Sequence, residues 1–382
     1  MKEIYYVGFY NCIGGKNRIK AQSNLAGTMK MDFIIKALKK LGYRVNLISL
    51  SIDDIAGFHP LEIISVDEKE SHVYIPYFSV KYKGKSRGAV SSLLRNLKKY
   101  LIDNLTEDSI VISYHSLAYG MMLSELHRKI RFRWVSQIEE LYSLSRKDYQ
   151  NLSFRETEEK MFAESDGFMF VNDLLPERYA EGKPYAVSYG NYHVFTDKQP
   201  PVGNKINVVY TGVINEDRGV FLLMDAMKYL PAKYNLNILG FGSEENMKRF
   251  HEQIVVLNSE FNEERIHFFG TRSGEEYTKF LSNQNIGVSL MGLEDNIAEN
   301  AFPSKIMAYL GHSLFVVSTR SECITKSKVA QYLYFCDNTP KDVAETIKQV
   351  PVYSEYNVSS MLRKLEERFV EDLGYVLSRS RI

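Results

Sequence analysis

Apolar runs and amphipathic stretches alternate along the first half of the chain. The runs are rich in β-forming residues, and the stretches between them have helical periodicity. The predicted strands are "EIYYVGFY", "GYRVNLISL", "SIVISYH", "RFRWVSQ" and "GFMFVN", and the predicted helices are "LAGTMKMDFIIKALKKL", "AVSSLLRNLKKYLID", "AYGMMLSELHRK" and "FRETEEKMFAES". Continuous apolar strands separated by helices predict a parallel sheet that is covered on both faces.

This alternation stops near Phe195 and restarts at Ile206. The stretch between them, "FTDKQPPVGNK", is polar and contains two adjacent prolines, so it predicts a linker over 196–205. The later elements are "INVVYTG", "GVFLLMDAMKYL", "YNLNILGFG", "SEENMKRFHEQIVVL", "RIHFFG", "GEEYTKFLSN", "NIGVSL", "FPSKIMAYLGH" and "LFVVST". A long amphipathic stretch, "VSSMLRKLEERFVEDLGYVLS", follows near the end of the chain.

The predicted fold class is therefore α/β, with two doubly wound, Rossmann-like domains that face a cleft. We expect one domain over 1–195 and a second domain over 206–352. The helix within 353–382 is expected to pack back on the first domain. Ligands of such sheets bind beyond the carboxyl ends of the strands, so two facing sheets would hold two ligands against each other.

Composition narrows the class of protein. The chain has 382 residues, 45% of them hydrophobic, and a formal net charge of +1, which argues against disorder and against a general nucleic-acid binder. Its three cysteines form no CxxC pair, so a zinc site or a disulfide framework is not expected. No run of 18 apolar residues occurs, and the start of the chain has the pattern of a strand rather than of a signal peptide, which predicts a cytoplasmic protein.

A helix that starts at Pro303 is the first candidate site. Proline suits the first helical turn because its missing N–H needs no partner there. The amides of Ser304 and Lys305 would stay free, the helix dipole would add positive potential, and the side chain of Lys305 would add a full charge. This combination favours a phosphate. The alternative is an ordinary helix start with a solvated lysine.

Two further turns offer positive charge or close backbone approach. In "YTGVINEDRGVF" a strand ends, the chain turns at Gly212, and Arg218 stands before a helix, where its guanidinium could bind two phosphate oxygens. The alternative is a surface arginine paired with Glu216 or Asp217. In "NCIGGKNR", after the first strand, Gly14 and Gly15 would let the backbone approach a ligand.

The second half resembles the retaining, nucleotide-sugar-dependent glycosyltransferases of the GT-B type, family 4-like and of the bacterial surface polysaccharide class. The stretches that carry the resemblance are "YTGVINEDRGVFLLMDAM", "LNILGFGSEE", "RIHFFGTRSGEEYTKFL" and "FPSKIMAYLGHSLFVVST". They occur in the family's order and spacing. In the first half "LGYRV" and "YGNYHVF" resemble the family's pattern more loosely.

The resemblance implies that 1–195 is the acceptor-side domain and 206–352 the nucleotide-sugar-binding domain, and it implies a role for each matching position. The donor diphosphate would be held by Arg218, Lys305 and the amides near Pro303, and the Gly14–Gly15 loop would close over it from the other domain. His115, after "VISY", would face the transferred sugar. The implied donor or phosphate residues are Gly14, Gly15, Gly212, Arg218, Pro303, Ser304 and Lys305. Those implied for the base and ribose are Gly242, Thr271, Arg272 and Asn300.

The chain also departs from the family pattern. Val213 stands where the family commonly has an arginine, and Ala308 stands where it has the glutamate that holds the ribose hydroxyls. The family's earlier glutamate falls on Asn300, with Glu299 beside it as a candidate catalytic substitute. These departures keep a second hypothesis open, in which the protein is a catalytically silent GT-B homologue that binds a glycan or a partner.

The chain contains no Asp-x-Asp motif, which is typical of transferases that hold the nucleotide through a divalent metal. We therefore expect no metal and no cofactor, and fixed positive charge would stabilise the leaving diphosphate. His115 has a structural alternative, as a residue that ends its strand.

Two acidic residues and two basic segments concern the acceptor side. Glu139 and Glu140 follow a predicted strand and are candidates to orient the acceptor hydroxyl, or else form a solvated acidic pair. The segment from Lys81 to Lys99 carries seven basic residues and no acid, and "HRKIRFR" is also basic. These segments favour an anionic membrane surface over nucleic acid, with a solvated helix face as the alternative.

The sequence thus predicts a retaining hexosyltransferase that takes a nucleotide diphosphate-sugar, with UDP-sugar favoured. Its acceptor is predicted to be a saccharide or lipid-linked saccharide in polysaccharide or glycoconjugate synthesis. The protein is expected in the cytoplasm, peripheral at the inner membrane face.

Overall fold

The computed structural model describes residues 2–10, 25–52, 55–82, 85–145, 152–291 and 301–378. The chain divides into two compact units. Unit 1 contains Met1–Ser188 and Glu367–Ile382, and unit 2 contains Tyr189–Glu366. The domain bounds expected from the sequence stay a prediction.

Unit 1 is built on an eight-stranded sheet, in the order β11-β10-β9-β8-β1-β2-β5-β4. All neighbouring strands are parallel except β4 and β5. A separate three-stranded sheet has the order β3-β6-β7. The strands are β1 Glu3–Gly8, β2 Arg44–Ser49, β3 Gly57–His59, β4 Glu62–Asp67, β5 Glu70–Tyr74, β6 Tyr77–Tyr82, β7 Lys85–Arg87, β8 Ile110–Tyr114, β9 Arg133–Ile138, β10 Gly167–Phe170 and β11 Tyr185–Val187.

The helices of unit 1 connect these strands as predicted for a doubly wound fold. They are α1 Leu25–Lys40, α2 Ala89–Asn104, α3 Leu117–Ile130, α4 Tyr142–Ser145, α5 Leu152–Glu164 and α6 Leu175–Tyr179. The expected strands and helices of the first half are confirmed. The apolar pattern did not predict the strands β3 to β7, which fill 57–87 between the second predicted strand and the helix α2, nor did it predict β11, α4 and α6.

Unit 2 contains one six-stranded parallel sheet, in the order β14-β13-β12-β15-β16-β17. The strands are β12 Ile206–Val213, β13 Tyr234–Phe241, β14 Ile266–Phe268, β15 Ile286–Ser289, β16 Phe315–Thr319 and β17 Leu333–Cys336. Counted along unit 2, this is the strand order 3-2-1-4-5-6 of a Rossmann-type sheet. The order reverses between β12 and β15, so this pair of strands marks the edge where such folds bind ligands.

The helices of unit 2 begin at residues suited to helix starts. They are α7 Val220–Ala226, α8 Glu244–Phe261, α9 Gly274–Leu281, α10 Ser304–Gly311, α11 Glu322–Thr325, α12 Pro340–Gln349 and α13 Ser359–Ser378. The side chain of Ser243 accepts a hydrogen bond from the Asn246 amide before α8, and that of Thr339 accepts one from the Asp342 amide before α12. The expected elements are confirmed, whereas α11, β17 and α12 were not predicted.

The helix α13 begins in unit 2 and ends in unit 1. In its last part Phe369 stacks on Phe33, with ring centroids 5.2 Å apart, and the guanidinium of Arg133 donates to the carbonyl of Val376. These contacts join the end of the chain to α1 and β9.

A buried histidine–carboxylate contact lies beyond the carboxyl end of β8. Nε2 of His115 lies 3.1 Å from Oε1 of Glu158, and both side chains are almost fully buried. The same carboxylate accepts hydrogen bonds from the amides of Tyr142 and Ser143 and from the Ser143 hydroxyl. Burial raises the pKa of Glu158, but these hydrogen bonds and His115 outweigh burial and hold the pKa below its usual value of 4.5. One carboxylate therefore connects α5, α4 and the end of β8.

Replacing this carboxylate by its neutral isostere should destabilise unit 1. We expect Glu158→Gln to lower the free energy of unfolding at pH 7 by about 2 kcal/mol, because the amide places a donor where the Tyr142 and Ser143 amides and the Ser143 hydroxyl now donate, so buried donors lose their acceptor. The stabilisation from Glu158 is present above pH 4.5 and is lost as the pH falls through its lowered pKa. Urea unfolding followed by Trp134, the only tryptophan and buried in β9, reports on this unit.

Glu159→Gln is the matched control. The side chain of Glu159 is 57% exposed and pairs with Arg155 one helical turn away, so we expect a change within about 0.5 kcal/mol. Equal effects of the two substitutions would contradict the structural role of the buried pair.

Candidate functional site

The helix α10 begins immediately after Pro303, which has φ −66° and forms the N-cap rather than the first helical residue. The Ile306 amide donates to the carbonyl of Pro303 at 3.0 Å. In the described part of the chain, the amides of Ser304 and Lys305 have no acceptor. Buried apolar residues hold the helix in place behind them: Ile306, Met307, Tyr309 and Leu310. Two free amides at the start of α10 are therefore fixed by packing.

The side chain of Lys305 reaches the end of β12. Its Nζ lies 4.0 Å from the centroid of the Tyr210 ring, in a cation–π contact, and the Tyr210 hydroxyl donates to the carbonyl of Val213 at 2.7 Å. A Cβ on Gly212 would lie 3.3 Å from this Nζ, and the φ of Gly212, 142°, is one that other residues rarely adopt. The glycine thus leaves the lysine headgroup room at the strand end.

Arg218 lies in the turn that follows β12. The turn, Glu216–Arg218, is a single 3₁₀ turn capped by the side chain of Asn215, which accepts a hydrogen bond from the Arg218 amide at 3.1 Å. The expected alternative pairing with Glu216 is not found, because Glu216 pairs with Arg249 instead. Among the described residues, neither Arg218 nor Lys305 forms an ion pair with a carboxylate.

The positive charge of Arg218 acts on the pKa of Lys305. Burial, and secondarily the charge of Arg218, lower the pKa of Lys305 from 10.5 to about 7. An anion bound beside this amine would stabilise its protonated form. The structure therefore brings together Gly212, Lys305 and the charge of Arg218, at the strand end where the sheet order reverses.

Residues expected near a base lie along the neighbouring strands. Thr271 and Arg272 follow β14 and line an open depression of about 580 Å³, together with Phe269 and Phe280. The guanidinium of Arg272 lies 5.5 Å and 5.0 Å from the centroids of those two rings. Gly242 has a packing role, because a Cβ there would lie 2.6 Å from the carbonyl oxygen of Ile214. Contact of these residues with a base stays a prediction.

Four of the candidate residues fall outside the described ranges. They are Gly14, Gly15, Glu299 and Asn300. The position of Ala308 is described: it lies one helical turn after Lys305 in α10, so the two residues share a helical face.

In unit 1, His115 is enclosed by protein groups. Its Nδ1 lies 2.8 Å from the Glu140 carbonyl, its Nε2 faces Glu158, and its ring stacks on Tyr142 at 4.6 Å. Contact of this ring with a sugar stays a prediction, and it requires a ligand to replace one of these partners. The structural alternative for His115 agrees with this geometry.

Glu139 belongs to a buried polar network that sequence reasoning missed. Nζ of Lys30 lies 2.9 Å from Oε2 of Glu139 and donates to the carbonyl of Ser188 at 2.7 Å. The side-chain amide nitrogen of Gln137 donates to the other Glu139 carboxylate oxygen at 2.6 Å, and the Tyr6 hydroxyl donates to the side-chain oxygen of Gln137. These residues come from α1, β1 and the end of β9, which are far apart in sequence, so no local motif predicts their contact. The alternative of a solvated acidic pair does not describe Glu139, since its carboxylate has two protein partners.

No set of three or more histidine, cysteine or acidic side chains in the described ranges is arranged as a metal site.

The comparisons with known proteins are of two kinds. The chain matches no family model and no curated protein. Solved structures, in contrast, match over nearly its whole length. An α,α-trehalose 6-phosphate synthase from Burkholderia multivorans has a TM-score of 0.70 at 12% identity, covering 99% of this chain and 98% of that one.

Two other solved structures extend this likeness. A UDP-forming α,α-trehalose-phosphate synthase from Burkholderia xenovorans, in complex with glucose-6-phosphate, has a TM-score of 0.66 at 11% identity and covers 99% and 98% of the two chains. A sucrose-phosphate synthase from Thermosynechococcus elongatus has a TM-score of 0.63 at 12% identity and covers 99% and 95%. At this identity the likeness concerns the fold, and it confirms the predicted fold class: an α/β protein of two Rossmann-like domains, of the GT-B type.

Proposed function

We propose that the protein is a glycosyltransferase that moves a hexose from a nucleoside diphosphate-sugar, with a UDP-sugar favoured, to a saccharide acceptor. The observation that carries this proposal is that Lys305 lies beside Gly212, at the edge where the strand order of unit 2 reverses, and that the charge of Arg218 acts on Lys305 there. Neither cation has a carboxylate partner among the described residues. The GT-B fold supports it, and the neighbour from Burkholderia xenovorans is described as UDP-forming.

The chemistry follows from charge. When the bond between the sugar and the diphosphate breaks, negative charge grows on the leaving phosphate oxygens. Lys305, Arg218 and the two free amides of α10 are positive groups placed in advance, so they would stabilise that charge without reorganising. In this mechanism fixed cations do the work that a divalent metal does elsewhere. Retention of configuration belongs to the proposal because the GT-B resemblance in unit 2 implies it.

The acceptor is the less constrained half of the proposal. We place it at the carboxyl edge of the unit 1 sheet, where Glu139 and Glu140 follow β9. One solved neighbour is described as a sucrose-phosphate synthase and another as a complex with glucose-6-phosphate, so a phosphosugar is one acceptor class. A lipid-linked saccharide in polysaccharide or glycoconjugate synthesis, used at the cytoplasmic membrane face by a family 4-like enzyme, is the other.

A second candidate function is a catalytically silent homologue that binds a glycan or partner. Two observations favour it. Ala308 stands on the Lys305 face of α10, where the family has a carboxylate for the ribose, and His115 is enclosed by Glu158 and Tyr142 rather than open to a ligand.

A transfer assay separates the two candidates. The protein is incubated with radiolabelled UDP-, GDP- and ADP-sugars and two acceptor classes, phosphosugars and lipid-linked saccharides, with and without EDTA. We expect release of nucleoside diphosphate from one donor and no loss of rate with EDTA. A protein that binds UDP in calorimetry yet releases nothing from any donor is the silent homologue. If EDTA abolishes the reaction and magnesium restores it, the fixed-charge mechanism is wrong.

Arg218→Ala should weaken binding of UDP more than binding of uridine. A hydrogen bond to a charged group contributes about 1.5–3 kcal/mol, so we expect a loss of about 10- to 100-fold for UDP and little change for uridine in calorimetry. Arg249→Ala is the control, because Arg249 lies nearby in unit 2 but already pairs with Glu216. Equal losses for UDP and uridine would refute the phosphate role of Arg218.

Binding of UDP should also depend on the protonation of Lys305. Below pH 7 the free lysine is charged before binding, whereas above pH 7 it must take up a proton, because its pKa in the free protein is about 7 and rises beside the diphosphate. We expect affinity to fall from pH 7 to pH 9 by up to about tenfold per pH unit.

Lys305→Arg tests this assignment, since arginine stays charged at every pH of the experiment. The variant should lose the decline in affinity above pH 7, and calorimetry in buffers of different ionisation enthalpy should show proton uptake only for the parent protein. A pH profile that is the same in both proteins would show that Lys305 does not contact the diphosphate.

A further inference from the structure

The three-stranded sheet of unit 1, β3-β6-β7, has one buried face and one exposed face. On the buried face, Tyr77 and Ser79 are almost fully enclosed, and the Tyr77 ring stacks on His59 at 4.2 Å. Because successive side chains of a strand point to opposite faces, Phe78 and Val80 point outward. Phe58 is the cross-strand partner of Phe78, so it lies on the same outer face.

This outer face is apolar where an antiparallel sheet usually presents polar residues to water. Phe58 is 68% exposed, Phe78 is 52% exposed and Val80 is 47% exposed. Val90, in the first turn of α2, is also exposed. We call Phe58, Phe78, Val80 and Val90 the apolar face. Neighbouring exposed apolar side chains of this kind mark a surface that contacts something other than water.

Exposed basic residues surround the apolar face. Arg87 is the cross-strand partner of Val80 and so lies on the outer face, whereas Lys81 follows Val80 in β6 and points to the opposite face. The helix α2 is tied to this sheet, since the Phe78 amide donates to the Ser92 hydroxyl and Asn96 donates to the carbonyl of Pro76. In the described part of 81–99, the exposed basic residues of this rim are Arg87, Arg95 and Lys99, and the sequence has no acidic residue between 81 and 99.

Lys98, in this basic segment, already has a carboxylate partner. Lys98 donates to Glu125 at 2.7 Å, and hydrogen bonds from Lys129 and Lys98 lower the pKa of Glu125 to about 2. The positive charges of this segment are therefore not equivalent. Lys98 faces α3, and Lys99 next to it is exposed.

We propose that the apolar face and its basic rim form a docking surface for an anionic lipid bilayer. Aromatic and aliphatic side chains enter the boundary between headgroups and acyl chains, while lysine and arginine contact anionic headgroups. Charge selects this occupant over a second copy of the chain. In a two-fold dimer the same patch faces itself, so the basic rims would oppose each other. Among the described residues, no helix combines the length and the apolar character that spanning a bilayer requires.

This inference is independent of the proposed activity, and vesicle binding tests it without any substrate. At 0.1 M salt the protein should float with vesicles of phosphatidylcholine and phosphatidylglycerol, should bind phosphatidylcholine alone at least tenfold more weakly, and should be released at 1 M salt. Phe58→Ser with Phe78→Ser should weaken binding more than tenfold. Val255→Ser in α8 of unit 2, 65% exposed, is the matched control and should change binding less than twofold.

The contribution of charge is tested by substitutions at two adjacent lysines, Lys98 and Lys99. Lys99→Gln should weaken binding about fivefold, and Lys98→Gln should weaken it less, although both remove one positive charge. Unchanged Trp134 fluorescence in solution verifies that the variants remain folded.

Insertion is measured directly with a new tryptophan. Phe58→Trp should be quenched by brominated lipids, whereas Trp134 of the parent and Val255→Trp should not be. Absence of binding to anionic vesicles, or binding that ignores the double serine variant, overturns the proposal. A concentration-dependent dimer in sedimentation that the double serine variant abolishes, without vesicle binding, assigns the face to a second copy instead.

Discussion

All six strands of the unit 2 sheet run in the same direction, and the features of the candidate site depend on this constraint. Parallel strands place every strand-to-helix turn at one edge, so the turn after β12 and the start of α10 meet although about 90 residues separate them in sequence. The order reverses between β12 and β15, so no crossover helix covers that edge between these two strands. Two cations and a pair of free amides can therefore converge on one small volume of unit 2.

The carboxyl edge of the unit 1 sheet shows the opposite balance of charge. There, among the described residues, the carboxylate of Glu139 contacts Lys30 and that of Glu158 contacts His115. Carboxylates that already have polar partners suit a ligand rich in hydroxyl groups. In the described part of unit 2, Lys305 and Arg218 have no carboxylate partner, which suits an anion. The difference between the two sheets lies in their charged side chains, since both have the same order of central strands.

Sequence reasoning succeeded where the physical signal is local. The apolar runs of β12, β13 and β15 and the proline before α10 are read from neighbouring residues, and the structure confirms these elements. It failed where the signal is a distant partner. Nothing near His115 shows that Glu158 of α5 will enclose it, and nothing near Glu139 identifies Lys30 of α1. The strands β3 to β7 escaped for another reason: their outer faces are apolar or mixed, so the usual alternation is obscured.

The glycines and the cations of unit 2 meet different physical requirements. Gly219 and Gly242 are required by packing, since a Cβ would lie 2.4 Å from Leu290 in one case and 2.6 Å from the Ile214 carbonyl in the other. A descendant that lost its ligand would keep both glycines in order to fold. Lys305 is the reverse, because a lysine whose pKa falls on folding makes the native state less stable at neutral pH. In a lineage released from ligand binding, drift toward a neutral residue at position 305 would improve stability. The retention of that lysine, rather than of any glycine, is the mark by which relatives that still bind an anion can be told from those that only share the fold.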